Sequence, residues 1–265
     1  MDIENKIMKI LIINNTASTG WNLKLGLEKL YTIKVDIIFE EKPFLSGKSN
    51  KITSLLNPKE YDAVFYIYPF ISNIFKPEIN QYIKNAKILI CSWCGTDLRG
   101  KTFKNQIKNG IYNLLHNYYK NQMFSRADYH YYSTFDLAWW LQNIPNNKKQ
   151  HLFQAIDTEL FKQTKQKVKG TIKFVGGAKS FEKHKIPHDQ FPSYISIFSD
   201  AIIIPAEGLD VNTIQTIHLE CAACNVKLQY HKWLNRNFVI KYASKEVIAK
   251  KVYKKIKELQ KIKRG

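Results

Sequence analysis

Acidic residues are in short supply in this 265-residue chain, where 22 Asp and Glu face 41 Lys and Arg and leave a formal charge of +19. An excess of that size disfavours cationic partners and favours anionic ones: nucleic acid, an anionic membrane surface or phosphorylated substrates. Cysteine is scarce as well. Its four copies stand as CSWC and CAAC, too few for a secreted disulfide scaffold of this length. The pairs are separated by 126 residues (95 to 220) and lie on apolar segments instead of knuckle turns, which argues against a four-ligand zinc site. No apolar run reaches bilayer length, since MDIENKIMKILIINN turns polar at Asn14. The acidic start, with no small-residue cleavage site after it, points away from a signal peptide and toward the cytoplasm. Glycine motifs are missing too: NNTASTGWN has one glycine where a dinucleotide fingerprint needs three, and there is no Walker A sequence. Nor does any D-x-D offer a carboxylate pair for a metal-bound diphosphate.

What is present is a globular composition, 45% hydrophobic and 13% aromatic, long enough for one large domain or two modest ones. Strand-like runs (IMKILIIN, TIKVDIIF, YDAVFYIY, KILICSW, DYHYYST) alternate with helical segments such as WNLKLGLEKL, whose Leu23, Leu27 and Leu30 share a face. That alternation predicts a mostly parallel, doubly wound α/β sheet. KQTKQKVKG reads as an exposed basic linker, after which TIKFVGG, DAIIIPA and VKLQY are expected strands and FPSYISIF and NTIQTIHLECAAC expected helices. The expected division is a Rossmann-like domain over 1–160, a reduced second one over 161–244, and a basic amphipathic helix over 245–265 docking on the body. In that helix Ile248, Val252, Ile256 and Leu259 share one stripe. Two such domains would hold a ligand in the cleft between them, at the carboxyl ends of the strands.

Five segments in order then narrow the reading: ILICSWCGTDLRG (88–100), SRADYHYYSTFDLAWWL (125–141), QAIDTELF (154–161), HDQFPSYISIFSDAIIIPAEG (188–208) and IHLECAACNVKL (217–228). Together they resemble glycosyltransferases of the GT-B fold, in particular the retaining group that includes glycosyltransferase family 4. The resemblance runs from about Lys9 to Tyr230 and assigns 1–160 to the acceptor side and 161–244 to the donor side. It implies a hexosyltransferase that uses a nucleotide diphosphate sugar, without a metal or other cofactor, and acts on a lipid-linked, glycan or protein acceptor.

The resemblance also distributes roles. Glu220 in LECAACN matches the family glutamate that accepts hydrogen bonds from the nucleotide ribose, a task suited to a carboxylate because it accepts two hydroxyls at once. His218 and the cysteines are then packing residues. The family's first acidic residue would fall at Asn212; the nearest acids are Glu207, thirteen positions before Glu220, and Asp210. Either an enlarged loop lets Glu207 reach the sugar, or the first carboxylate is lost and Asn212 bonds hydroxyls in its place. A helix starting near Thr213 would aim free N–H groups at the diphosphate, with Lys179 or Lys183 as its basic partner and Lys185 beside them. Cys94 occupies the place of a histidine near the transferred sugar, and Asp97 either meets the acceptor or caps the following helix. Arg99 keeps the pattern, and Gly20, in the loop after the first strand, would permit close backbone approach to the acceptor or diphosphate.

Between Leu98 and Ala127 no acid occurs, while Arg99, Lys101, Lys104, Lys108, Lys120 and Arg126 alternate with Phe103, Tyr112, Tyr118, Tyr119 and Phe124. Such a helix suits peripheral contact with the anionic inner face of a membrane. The same list suits RNA, where rings stack on bases. Two further readings therefore stand beside the transferase: a non-catalytic GT-B-like binding protein, and a nucleic-acid-binding protein.

Overall fold

A computed structural model of the chain describes residues 7–14, 18–38, 57–69, 77–100, 106–163, 168–175, 190–204 and 213–264. Met8–Ile13 (β1), Ile33–Ile38 (β2), Ala63–Ile67 (β3), Leu89–Trp93 (β4), Tyr129–Tyr132 (β5) and Lys149–His151 (β6) form a parallel sheet in the order β2-β1-β3-β4-β5-β6. The order reverses between β1 and β3, so the carboxyl ends of those two strands flank a topological switch point. Crossover helices α1 (Thr19–Leu30), α2 (Pro77–Asn85) and α4 (Gln106–Arg126) cover the sheet, and the four-residue helices α3 (Thr96–Arg99) and α5 (Leu137–Trp140) follow β4 and β5.

The period of two along each strand sorts the core into two layers. Ile10, Ile12, Phe65, Ile67 and Ile90 face one way and pack with Leu23 and Leu27 of α1. Their neighbours Leu11, Ile13, Val64, Tyr66, Leu89 and Trp93 face the other way and pack with Ile79 and Ile83 of α2 and Tyr119 and Met123 of α4. Burial on both sides is why these strands read as continuous apolar runs.

A second parallel sheet follows, β7 (Val168–Val175), β8 (Phe198–Ile204) and β9 (Lys227–Leu228), with helices α6 (Phe191–Ser196), α7 (Thr216–Ala223) and α8 (Arg236–Tyr242). Three local expectations change here. The end of the expected linker, Val168–Gly170, is already strand, because Val168 pairs with Phe198 across an irregular register. β9 keeps two of the five residues expected of VKLQY: Lys227 and Leu228 are in register with Asp200 and Ala201 of β8, and the Gln229 N–H adds one bond to the Ala201 carbonyl as the chain leaves the strand. The helix expected from Thr213 starts at Thr216, where Gln215 and His218 close a reciprocal capping box.

The final helix, α9 (Lys245–Ile262), lies across α1 with Ile248, Val252, Ile256 and Leu259 buried. Gly26 permits the approach: a methyl group added there would run into the Lys245 carbonyl. Lys245 is itself buried and pairs with Asp157 at 2.8 Å and Glu159 at 3.0 Å, while Lys29 of α1 reaches Glu159 at 2.7 Å and Glu246 at 3.1 Å. The IDTE stretch is thus the clasp between α1 and α9, reinforced by Ile156 N–H donating to the Ala243 carbonyl and Lys245 N–H to that of Ile156. Among the described residues no helix is long and apolar enough to cross a membrane.

Candidate functional site

Polar side chains gather where the strands of the first sheet end. Asn14 follows β1 and Tyr68 follows β3, both with the left-handed backbone (φ 71° and 55°), and Ser18, the N-cap of α1, adopts it as well (φ 58°). Non-glycine residues enter that region at a cost, and such strain concentrates at functional sites. Asn14 spans the switch point by donating Nδ2–H to the Ile67 carbonyl at 2.9 Å and to that of Tyr68 at 3.3 Å. Its Oδ1 is buried with no hydrogen-bond partner among the described residues, and so are Ser18 Oγ, Thr19 Oγ1, Ser133 Oγ, Thr134 Oγ1 and Gln154 Oε1. Five lie on connections at the carboxyl edge and Thr19 opens the helix that follows β1. A buried oxygen without a partner costs about 1–3 kcal/mol, so a row of them marks a place where hydroxyls or amides of a ligand are expected.

Cys94 stands in the middle of this row. Its thiol donates to the Ser92 carbonyl at 3.6 Å and is approached by Gln154, the Tyr68 backbone and Ser133. Burial and then the charge of Asp97 push the thiol well above its ordinary pKa, which favours its protonated form.

Asp97 is fully committed to its own turn. The carboxylate accepts N–H bonds from Cys94 (2.9 and 3.1 Å), Gly95 (2.6 Å) and Leu98 (3.1 Å). Burial raises its pKa to about 6 against the pull of these backbone donors. His116 of α4 donates Nε2–H to the Asp97 carbonyl at 2.9 Å, and Arg99 pairs with Asp136 at the start of α5. The turn that carries Cys94 is therefore held from below by α4 and from the side by the β5 connection. Gly20 is buried at the same edge, in the first turn of α1 instead of a loop.

The second unit contributes Glu220. It lies on α7, whose residues Ile217 to Ala223 are all buried. Only 5% of Glu220 is exposed, no described residue offers its carboxylate a hydrogen bond or a cation, and burial alone pushes its pKa up to about 8. A buried, displaced carboxyl without a partner is the behaviour of a binding or catalytic group more often than of a structural one. Its neighbours have separate duties. Nδ1 of His218 accepts the Gln215 N–H at 3.0 Å, and burial, followed by the charge of His231, lowers the His218 pKa to about 3. Cys221 and Cys224 are buried and not joined in a disulfide. Thr213 is buried just before the helix cap.

Cys94, Asp97 and Arg99 thus share one turn, with Gly20 at the same edge, while Thr213 and Glu220 belong to the other unit. Both groups border one continuous core, which includes Ile214 and Ile217 and against which Tyr68 and Cys94 pack. Glu207, Asp210, Asn212, Lys179, Lys183 and Lys185 lie outside the described residues. Among the described residues no three His, Cys, Asp or Glu side chains converge as a metal site would require. Sequence reasoning passed over Asn14, Ser18, Thr19, Ser133, Thr134 and Gln154; the available signal was a polar residue directly after each apolar run, as in LIINN and HYYST.

No protein-family model matches the chain, and no curated protein matches it. Two solved structures are similar to it in chain course. That of Anabaena Alr3699/HepE in complex with UDP and glucose has a TM-score of 0.49 at 11% identity, covering 97% of this chain and 98% of that one. That of Anabaena Alr3699/HepE in complex with UDP has a TM-score of 0.46 at 11% identity, covering 97% and 99%.

Proposed function

We propose that the protein is a glycosyltransferase that moves a hexose from a nucleotide diphosphate sugar to an acceptor hydroxyl, retaining the anomeric configuration and using no metal. The observation that carries this reading is Glu220: a carboxylate buried without a partner among the described residues, in a segment that matches the ribose-binding glutamate of the resembled family. In this reading the ribose hydroxyls donate to Glu220 and so supply the hydrogen bonds that its burial withholds. The polar row at the first sheet's carboxyl edge receives the hydroxyls of the transferred sugar and the acceptor. As the bond from the sugar to the diphosphate breaks, negative charge grows on the leaving group. Lys179 or Lys183 would meet that charge, which is where preorganised electrostatics lowers a barrier most. Glu207 or Asn212 would hold the sugar.

The experiment is a thermal-shift screen with uridine, guanosine and adenosine diphosphates and their sugars, because a ligand bound only by the folded state raises the melting temperature. At least one should do so in the wild type and none in Glu220→Ala; equal shifts in both proteins would remove Glu220 from the site. A non-catalytic binding protein is favoured by one feature: the Cys94 turn contains a protonated thiol and a carboxylate already saturated by backbone donors. Nucleotide-sugar binding with no hydrolysis or transfer across the panel would establish that alternative.

A further inference from the structure

The long helix α4 is too long for the sheet it covers. Its 21 residues span about 31 Å at 1.5 Å per residue, whereas β4 and β5 have five and four. Only His116, Tyr119 and Met123 are buried, all in its second half. β4 and β5 are parallel, so the helix between them starts at the carboxyl edge, and none of its first ten residues is fully buried. Along the outer side of α4 Ile107, Ile111, Leu114 and Tyr118 are 76%, 57%, 73% and 57% exposed. Intervals of four, three and four place them along one face. Trp139 and Trp140 of α5 are exposed as well, with Lys120 of α4 stacked 5.7 Å above the Trp140 ring. Large apolar side chains aligned in water mark an interaction surface.

The charges select what covers it. α4 contains Lys108, Lys120 and Arg126 and no acid, and the nearest acid of α5, Asp136, is paired with Arg99. A second copy docked through the same face would set these cations against themselves, as the self-complementary geometry of a two-fold contact requires. RNA would use the rings and cations but has no place for Ile107, Ile111 and Leu114. A bilayer surface accommodates all three features: aliphatic groups at the acyl boundary, tryptophan among the headgroups, and lysine and arginine on lipid phosphates.

We infer that α4 and α5 form an in-plane docking surface for anionic lipid, which seats the carboxyl edge of the first sheet on a membrane. The docking stands on these two helices alone. That it delivers a membrane-borne, lipid-linked acceptor to the polar row rests on the transferase reading.

Flotation of the full chain with vesicles of phosphatidylcholine, alone or mixed with phosphatidylglycerol, tests the surface without nucleotide. The wild type is expected to float with the mixed vesicles and weakly or not at all with the neutral ones, with a blue shift of tryptophan emission on binding. Ile111→Ser/Leu114→Ser should bind the mixed vesicles at least tenfold more weakly. Lys108→Gln/Arg126→Gln should lose the preference for them. Neither pair touches the core, and an unchanged melting temperature would show both variants folded. Wild-type protein that ignores anionic vesicles overturns the inference, as does an apolar variant that binds them undiminished. A solution dimer, or an RNA complex, lost in that same variant would overturn it too, by assigning the face to another occupant. Vesicle binding together with a flat nucleotide screen would leave the docking intact while removing the transferase reading.

Discussion

Glu220 behaves differently with pH in the free and the ligand-bound protein. Burial lifts its folded pKa to about 8 from an ordinary 4.5, so between those values the folded state keeps a proton that the unfolded state releases. Stability from this group is therefore complete below 4.5 and declines as pH rises through about 8. Glu220→Gln should accordingly melt higher than the wild type at pH 9 and about equally at pH 4, as differential scanning fluorimetry would show. A nucleotide whose ribose donates to the carboxylate binds its ionised form, so below pH 8 affinity should fall about tenfold per unit, one pKa unit being worth about 1.4 kcal/mol. Titration calorimetry in buffers of different ionisation enthalpy would register the proton released on binding at pH 7. Asp97 makes the opposite case, a carboxylate whose lone pairs are already taken. Asp97→Ala leaves the N–H groups of Cys94 and Gly95 without an acceptor and is expected to cost about 1–3 kcal/mol in urea denaturation, a loss of fold and not merely of rate.

Among the elements, the contact of α1 with α9 is the most sensitive to a single atom. Gly26→Val would push a branched side chain into the Lys245 backbone, where overpacking costs about 1–3 kcal/mol; a lower urea midpoint at unchanged slope would register it. Lys245→Ala would take the cation from Asp157, which keeps the N–H groups of Glu159 and Leu160, so the loss is that of a charged hydrogen bond, about 1.5–3 kcal/mol. What the sequence makes legible at this scale follows burial. β1, β3 and β4 are covered on both faces and read as unbroken apolar runs, and the α9 stripe reads from its period. β6 and α8 do not. KQH is a polar edge strand without alternation, and RNFVIKY is too short for a period to emerge. The orientation of α4 was equally hidden, because Tyr118 and Tyr119 are adjacent and chemically identical, yet one faces solvent and the other the core. The polar row shares this invisibility: Asn14 belongs to none of the five resembling segments, Ser133 and Gln154 belong to two different ones, and the three come to one edge only through the strand order.

For the whole molecule, the continuity of the core governs behaviour. One cluster runs from Met8 and Ile10 of the first sheet through Phe153 and Phe161 to Phe174, Ile203 and Leu219 of the second unit. Phe153 and Phe238 meet edge to face at 5.5 Å across the same junction. Units joined in this way are expected to unfold together. Calorimetry should record one endotherm with equal calorimetric and van't Hoff enthalpies, and two resolved endotherms would mean that the units are thermally independent. Lys29 and Glu246, which meet at the junction of α1 and α9, stand 217 positions apart, and that separation has a consequence for biosynthesis. A nascent chain emerging from the ribosome carries the flank of α1 that receives α9 uncovered until the 217 positions between Lys29 and Glu246 have been added, so this flank is the one a co-translational chaperone would be required to shield.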